Sequence, residues 1–306
     1  MVGPLAVRIL IADQNFGDGG AVERGLVEEA GGTLAVEDCK SEEDVAGAIA
    51  RHRPDALLVQ FAPVGRRALS DANGLAAVVR YGVGVDNIDT AAAEERGIAV
   101  GRVPDYCVDE VADHTIALLL AVERGIVALA QQTAEGGWDF RAAVPVRRLS
   151  GLTLGLLGWG RIAQAVGARA EALGIRVVAH DPAFPETESL DAVLHTADVL
   201  SVHVPLTDET RGLVGARELG LLPEGAIVLN TARGGLVDED ALAEALASGR
   251  LRGAGLDVLA SEPPAADHPL RSMPGVVLTP HAAWYSEQSV LELRRKAVET
   301  ALELLG

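Results

Sequence analysis

Residues 151–181 constrain the fold more than any other stretch of the chain. Residues 152–157 are largely apolar and read as a short buried strand. Gly158-Trp159-Gly160-Arg161-Ile162-Ala163 then turns into a helix that runs to about Leu173. A second apolar strand, Ile175 to Ala179, ends at His180-Asp181. This is a βαβ unit with a glycine turn after its first strand and an acid after its second. In such a unit Gly158 permits the tight turn and Gly160 lets the backbone approach a pyrophosphate. The helix N-terminus then stabilises that group through its free N–H groups and its dipole. Ala163 takes the third position, where helix and strand pack closely. Asp181 stands about 20 residues after Gly160, where a carboxylate hydrogen-bonds an adenosine ribose. A glycine turn alone is a weak signal. Strand, turn, helix, strand and acid in this order are a strong one.

The rest of the composition narrows the class. A chain of 306 residues can bury a real core and is long enough for two domains. Aromatics make up only 3% of it, so the core must be aliphatic and alanine-rich. The net charge of −18 argues against a nucleic-acid partner, because no basic run is available to track phosphates. Cys39 and Cys107 are too few for a disulfide framework or a structural zinc site, and no metal site is expected. Both read as reduced thiols of a cytoplasmic protein. The opening segment lacks a basic leader, and its apolar run stops at Asp13, so it reads as a first strand. No apolar run reaches the length of a membrane span.

Strand and helix alternate through the first hundred residues. Strands are expected at 7–12, 33–36, 56–60, 75–79 and 98–100, and helices at 19–30, from Ser41 to about Arg51, and at 87–96. A parallel sheet with helices on both faces follows from that alternation. No phosphate-binding turn follows the first strand, where Asp13-Gln14-Asn15-Phe16 stands instead. One long helix is predicted from Val108 to about Gln131, followed by an irregular arm, Trp138 to Leu149. After the βαβ unit come strands at 197–202, 225–229, 251–256 and 275–278, with a helix at 238–248. Ser286 to Leu305 is amphipathic and is expected to return to the first domain.

Three residues beyond predicted strand ends can carry chemistry. Open α/β sheets place their sites at those ends. Arg233 lies in Asn230-Thr231-Ala232-Arg233-Gly234-Gly235, and a guanidinium fork suits a substrate carboxylate. Glu262 precedes Pro263-Pro264, and His281 follows Thr279-Pro280. A carboxylate beside a histidine orients the imidazole and favours its protonated form. Such a histidine is a general acid when a carbonyl is reduced by hydride, and the base in reverse. The chain has no Gly-x-Ser-x-Gly elbow, no His-Glu-x-x-His, no Cys-x-x-Cys and no Walker A loop.

Taken together these motifs resemble the D-isomer-specific 2-hydroxyacid dehydrogenase family over nearly the whole chain. Arg80 to Asp89 is similar to its substrate loop, Gly158 to Ala163 with Asp181 to its NAD fingerprint, and Asn230 to Asp238 to its arginine segment. Gly255 through Pro264 is similar to its acid segment and Thr279 to Ala283 to its histidine segment. Val111 to Thr115 and His281 to Gln288 resemble its C-terminal-binding-protein branch. Glu262, where a glutamine would stand, disfavours the formate dehydrogenase branch.

The resemblance implies a Rossmann NAD-binding domain, residues 103–286, inserted in a flavodoxin-like substrate domain formed by 1–102 and 287–306. It implies a hydride transfer between NAD(H) and a 2-oxoacid or D-2-hydroxy acid. Arg233 would bind the substrate carboxylate and carbonyl, Glu262 would support His281, and His281 would exchange the proton. Arg80, the N–H groups of Val83 and Gly84, and Trp284 would complete the substrate site. Gly158, Gly160, Arg161, Ile162, Asp181, Val204, Thr210, Thr231, Ala232 and Asp257 match cofactor positions, as does Thr115, which reads equally well as core. Asp181 favours NAD over NADP, because a carboxylate repels a 2′-phosphate. Phe61, Tyr81, Trp138 and Trp284 are candidates for shaping the substrate pocket. A homodimer through an arm at about 108–149 is expected. Two other readings are an NAD(H)-sensing, corepressor-like scaffold and a phosphite-type dehydrogenase on the same fold; neither scaffolding nor dinucleotide sensing requires the Arg-Glu-His set.

Overall fold

The computed structural model describes residues 7–306, so Met1 to Ala6, part of the expected lead-in to the first strand, lie outside it. The chain divides into two compact units. One takes the chain up to Cys107 and again from Tyr285 to Gly306, and the other spans Val108–Trp284.

In the first unit, five parallel strands form one sheet: β1 (Arg8–Ile11), β2 (Thr33–Val36), β3 (Ala56–Val59), β4 (Ala77–Arg80) and β5 (Ala99–Arg102). Their order is β2-β1-β3-β4-β5, the flavodoxin-like arrangement. Five helices accompany it: α1 (Ala21–Glu29), α2 (Glu42–His52), α3 (Arg66–Ser70), α4 (Thr90–Glu95) and the last helix of the chain, described below. Ser41 caps α2 by accepting from the Asp44 N–H, and Asp44 answers at the Ser41 N–H. Alternate strand residues serve opposite faces. Leu57, Val59 and Val78 join Val45, Ile49 and Leu69 in one cluster. Residues 87–89 are not helical: Ile88 bridges to Val64, and Asp89 accepts from the Ala92 N–H and starts α4 late.

In the second unit, six parallel strands run in the order β11-β10-β9-β8-β6-β7. They are β6 (Thr153–Leu157), β7 (Arg176–His180), β8 (Val199–Val202), β9 (Ala226–Asn230), β10 (Leu251–Leu256) and β11 (Val276–Leu278). α5 (Val108–Glu123), α6 (Ile126–Ala134), α7 (Arg161–Ala172), α8 (Leu190–Thr196), α9 (Ala216–Leu221) and α10 (Glu239–Ala247) supply the helices. α5 and α7 pack on one face through Leu118, Leu119, Val166 and Ala170 against Leu154, Leu156 and Leu229. Leu194, Leu219 and Leu242 cover the other face against Leu200, Val228 and Leu256. β7 and β8 lie on opposite sides of β6, so the connection reverses there and opens a crevice beyond the ends of β6 and β8.

The single helix expected at 108–131 is broken. α5 stops at Glu123 and α6 begins at Ile126, because Gly125 takes a left-handed φ of 60°. A Cβ at Gly125 would lie 2.8 Å from the Ala143 Cβ, so the break is where the arm crosses the helix. Glu123 holds the arm from the helix side. Its wholly buried carboxylate accepts from the Arg147 N–H at 2.8 Å and from the Arg147 guanidinium at 2.7 Å. The last helix, α11 (Glu287–Leu305), packs on β3, β4 and β5 of the first unit. Ser286 caps it.

Candidate active site

β6 delivers the glycine turn. Gly158 has φ 96°, and a Cβ there would lie 2.5 Å from the His203 carbonyl oxygen. Only glycine fits, because the crevice between β6 and β8 closes to backbone contact at that point. Among the described residues, nothing lies within 4 Å of where a Cβ on Gly160 would stand, so the backbone there is open to an approaching group. Nor does any described side chain cap α7 at its N-terminus. Ala163 is fully buried against the sheet, whereas Arg161 is exposed and Ile162 half-buried beside the turn. Asp181, just beyond β7, accepts from the Trp159 N–H at 2.8 Å and from the Ala183 N–H at 2.9 Å. The acid is therefore tied to the glycine turn. An uncapped helix start, an open Gly160 and an acid at the next strand end fit a dinucleotide.

The loops after β8 and β9 sit on the same edge of the sheet. Val204 follows β8 and is half-buried, and the Thr210 hydroxyl donates to the Pro205 carbonyl at 2.6 Å, closing that loop. Thr231 and Ala232 follow β9. The Thr231 and Thr115 hydroxyls share a hydrogen bond of 2.9 Å, and Thr115 also donates to the Val111 carbonyl at 2.7 Å. Thr115 is wholly buried.

The three chemical residues come from three loops. Arg233 is half-buried after β9 and donates to the Ala232 carbonyl. His281 has φ 51°, a left-handed conformation uncommon for a side-chain-bearing residue. Its N–H donates to the Asp257 carbonyl at 2.8 Å, and its own carbonyl accepts from the Trp284 indole N–H at 2.8 Å. Its Nδ1 lies 2.7 Å from Glu262 Oε2. Glu262 Oε1 accepts from the Leu259 N–H at 3.1 Å. Burial opposes ionisation of Glu262, but the hydrogen bond and charge of His281 prevail, with smaller help from the Leu259 N–H and from Arg233. The carboxyl is held below its usual range. The anion and the imidazole thus form an oriented pair, with Nδ1 committed to the carboxylate.

Asp257 organises the turn that presents His281. One carboxylate oxygen accepts from the Ala282 N–H, the other from the Ala283 N–H, both at 2.9 Å, and Thr279 donates to it as well. His114 completes this group, with Nε2 2.9 Å from the Thr279 hydroxyl and 3.5 Å from Asp257. Sequence reasoning misses His114, which sits next to Thr115 on α5. Its neighbours come from more than a hundred residues away, and nothing local marks it.

In the first unit, Arg80 ends β4 and its Nε donates to the Gln60 carbonyl at 3.3 Å. Val83 and Gly84 follow as half-buried loop residues, and Arg102 reaches the Val83 carbonyl. Tyr81 does not face an open site. It is 2% exposed, and its hydroxyl donates to buried Glu23 at 3.1 Å. Glu23 is in turn bound by Arg294 of α11 at 2.9 Å. Phe61 is half exposed beside the backbone N–H groups that Asp13 gathers from Gln60, Phe61 and Ala62.

Residues 116–283 match the family model described as the NAD-binding domain of D-isomer specific 2-hydroxyacid dehydrogenases. The chain belongs to the D-isomer specific 2-hydroxyacid dehydrogenase family. It is 37% identical to a hydroxypyruvate reductase of Thermotoga maritima, over 82% of this chain and 85% of that one. It is 36% identical to a glycerate dehydrogenase of Methylorubrum extorquens, over 79% and 80%. A crystal structure of D-lactate dehydrogenase from Aquifex aeolicus complexed with NAD and lactic acid superposes with a TM-score of 0.84 at 26% identity, covering 97% of each chain. As a member of this family the chain is an NAD-dependent oxidoreductase acting on 2-hydroxy acids.

Proposed function

We propose that Arg233, Glu262 and His281 carry out the interconversion of a small 2-oxoacid and its D-2-hydroxy acid. The 2.7 Å contact between Glu262 and His281, in the same sheet edge as the glycine turn, carries the assignment. When bound, NADH supplies the hydride to the carbonyl carbon. Arg233 binds the substrate carboxylate and polarises the carbonyl. His281 Nε2 gives its proton to the carbonyl oxygen as the hydroxyl forms, and recovers it in the oxidative direction. Glu262 stabilises the imidazolium and fixes the ring. The electrostatic gain is greatest as charge develops on the oxygen, which is where a preorganised donor contributes most.

The remaining assignments follow the same chemistry. Gly158, Gly160, Arg161 and Ile162 hold the pyrophosphate, and Asp181 binds the ribose and sets NAD above NADP. Val204, Thr210, Thr231, Ala232 and Asp257 line the remainder of the cofactor, with Asp257 at the nicotinamide amide and Thr115 supporting Thr231 from beneath. Arg80, the N–H groups of Val83 and Gly84, and Trp284 contribute to substrate binding. Val111 to Thr115 and His281 to Gln288 support the C-terminal-binding-protein branch. The Arg-Glu-His set favours catalysis over a scaffold role.

The active form is a homodimer built through the arm. Trp138 is 91% and Phe140 77% exposed, in a chain with few aromatics, and Ile126, Val127 and Val144 extend the apolar surface. A cytoplasmic location accords with Cys39 and Cys107 as buried thiols outside any disulfide. Among the described residues no helix is long and apolar enough to cross a membrane.

A panel of 2-oxoacids headed by hydroxypyruvate, assayed with NADH and with NADPH and followed by chiral analysis of the product, tests the reading. Oxidation of NADH with a D-product is expected. An L-product, or tight NADH binding without turnover on any member, would overturn it.

A further inference from the structure

Glu239 stands outside the residues assigned above, at the first position of α10. Its neighbour Asp238 already caps the helix, accepting from the Asp240 and Ala241 N–H groups. The Glu239 carboxylate is therefore spare as a cap and turns elsewhere. Oε1 accepts from the Ala260 N–H at 2.5 Å, and Oε2 lies 3.0 Å from His268 Nε2. His268 Nδ1 is buried with no hydrogen-bond partner among the described residues. A proton there would be an unsatisfied buried donor, so the imidazole carries it on Nε2 and donates to Glu239.

The peptide that Glu239 holds is confined from the other side too. A Cβ on Gly234 would lie 1.9 Å from the Leu259 carbonyl carbon and 2.2 Å from the Ala260 nitrogen. The Leu259–Ala260 peptide thus lies flat against the backbone that follows Arg233. The N–H at the other end of Leu259 donates to Glu262 Oε1. Glu262 then meets His281. A continuous chain of contacts runs from His268 and Glu239, through one peptide clamped on Gly234, to the catalytic carboxylate.

We propose that Glu239 and His268 form a clasp that positions the 259–262 loop, and through it sets the aim of Glu262 on His281. Glu239 is a positioning residue, and it touches neither substrate nor cofactor. The proposal rests on the roles assigned to Glu262 and His281 above. Loss of the clasp frees the Ala260 N–H and lets the Leu259–Ala260 peptide turn. The carboxylate then no longer meets Nδ1 in one fixed geometry.

Glu239→Ala should lower kcat on the order of tenfold, since small misplacements of a catalytic group are costly. The NADH dissociation constant and the substrate KM should stay within twofold of the wild-type values, on the order of experimental reproducibility. Glu239→Gln keeps an acceptor for the Ala260 N–H but turns an amide N–H towards the His268 Nε2 donor, so it should recover only part of the rate. In a Glu262→Ala background, Glu239→Ala should cost nothing further, because the residue it aims is gone. Where Glu239→Ala does not fold, His268→Asn in the two backgrounds makes the same comparison. A wild-type kcat in Glu239→Ala, or an equal loss in both backgrounds, would overturn the clasp. If His281→Ala itself retained full activity, the assigned roles would fail instead, so the two failures are distinguishable.

Discussion

At residue scale the site is a set of side chains whose backbone leaves them little freedom. His281 sits at φ 51° with its N–H, carbonyl and Nδ1 all engaged. On the proposed mechanism, replacing it by Ala removes the proton donor and should lower kcat by about 100-fold or more, the scale of general acid catalysis. NADH affinity, read by fluorescence titration, should hold. Glu262 is held below the usual carboxylate range, so its anion persists until acid overtakes it. Its interaction with His281 is present above the unfolded-state pKa and is lost as pH falls through the folded one. The acidic limb of kcat/KM for reduction should therefore lie below the ordinary carboxylate range. His203 behaves oppositely in sign of charge. Burial pushes its imidazole down to about 4, from an ordinary 6.5. The unfolded chain then binds a proton that the folded chain refuses, so stability falls as pH drops from 6.5 towards 4. The slope of thermal midpoint against pH in that window should be flatter in His203→Gln.

At the scale of elements, most of the second unit was legible because its strands are short apolar runs bounded by glycine, proline and acid signals. Arg233, Glu262 and His281 were readable as positions beyond strand ends before any geometry was known. The break between α5 and α6 was not. The apolar pattern continues across Arg124-Gly125, and a lone glycine inside a helical pattern is tolerated. What decides the break is Ala143, packed on Gly125 from a later segment, and no local pattern carries that. His114 and Glu239 were missed for the same reason, since their partners are brought by the sheet and not by the sequence. Glu123 is the element-scale test. Truncating it to Ala leaves Arg147 and Arg252 beside a buried gap, and breaking such a pair costs about 3 kcal/mol. Urea unfolding should show that loss, with the arm more readily cut by protease.

At the scale of the whole molecule, the two sheets divide the labour by topology. Each reverses its strand order once, at β1 and β3 in the first unit and at β6 and β8 in the second. In the first unit Asp13, after β1, takes up the backbone N–H groups of Gln60, Phe61 and Ala62, after β3. In the second the crevice meets a glycine turn and stays open at Gly160. One fold principle thus yields a structural crevice and a dinucleotide site from different residues at the strand ends. The exposed arm extends this account to assembly. Trp138→Ser with Phe140→Ser should convert a dimer to a monomer in light scattering at micromolar concentration, and a wild-type monomer would refute the assembly. The most direct test of the central claim is the rate of NADH oxidation at saturating 2-oxoacid, compared between the wild type and Glu262→Gln. A fall of about 100-fold with NADH binding intact is expected; an unchanged rate would contradict the role proposed for the Glu262–His281 pair.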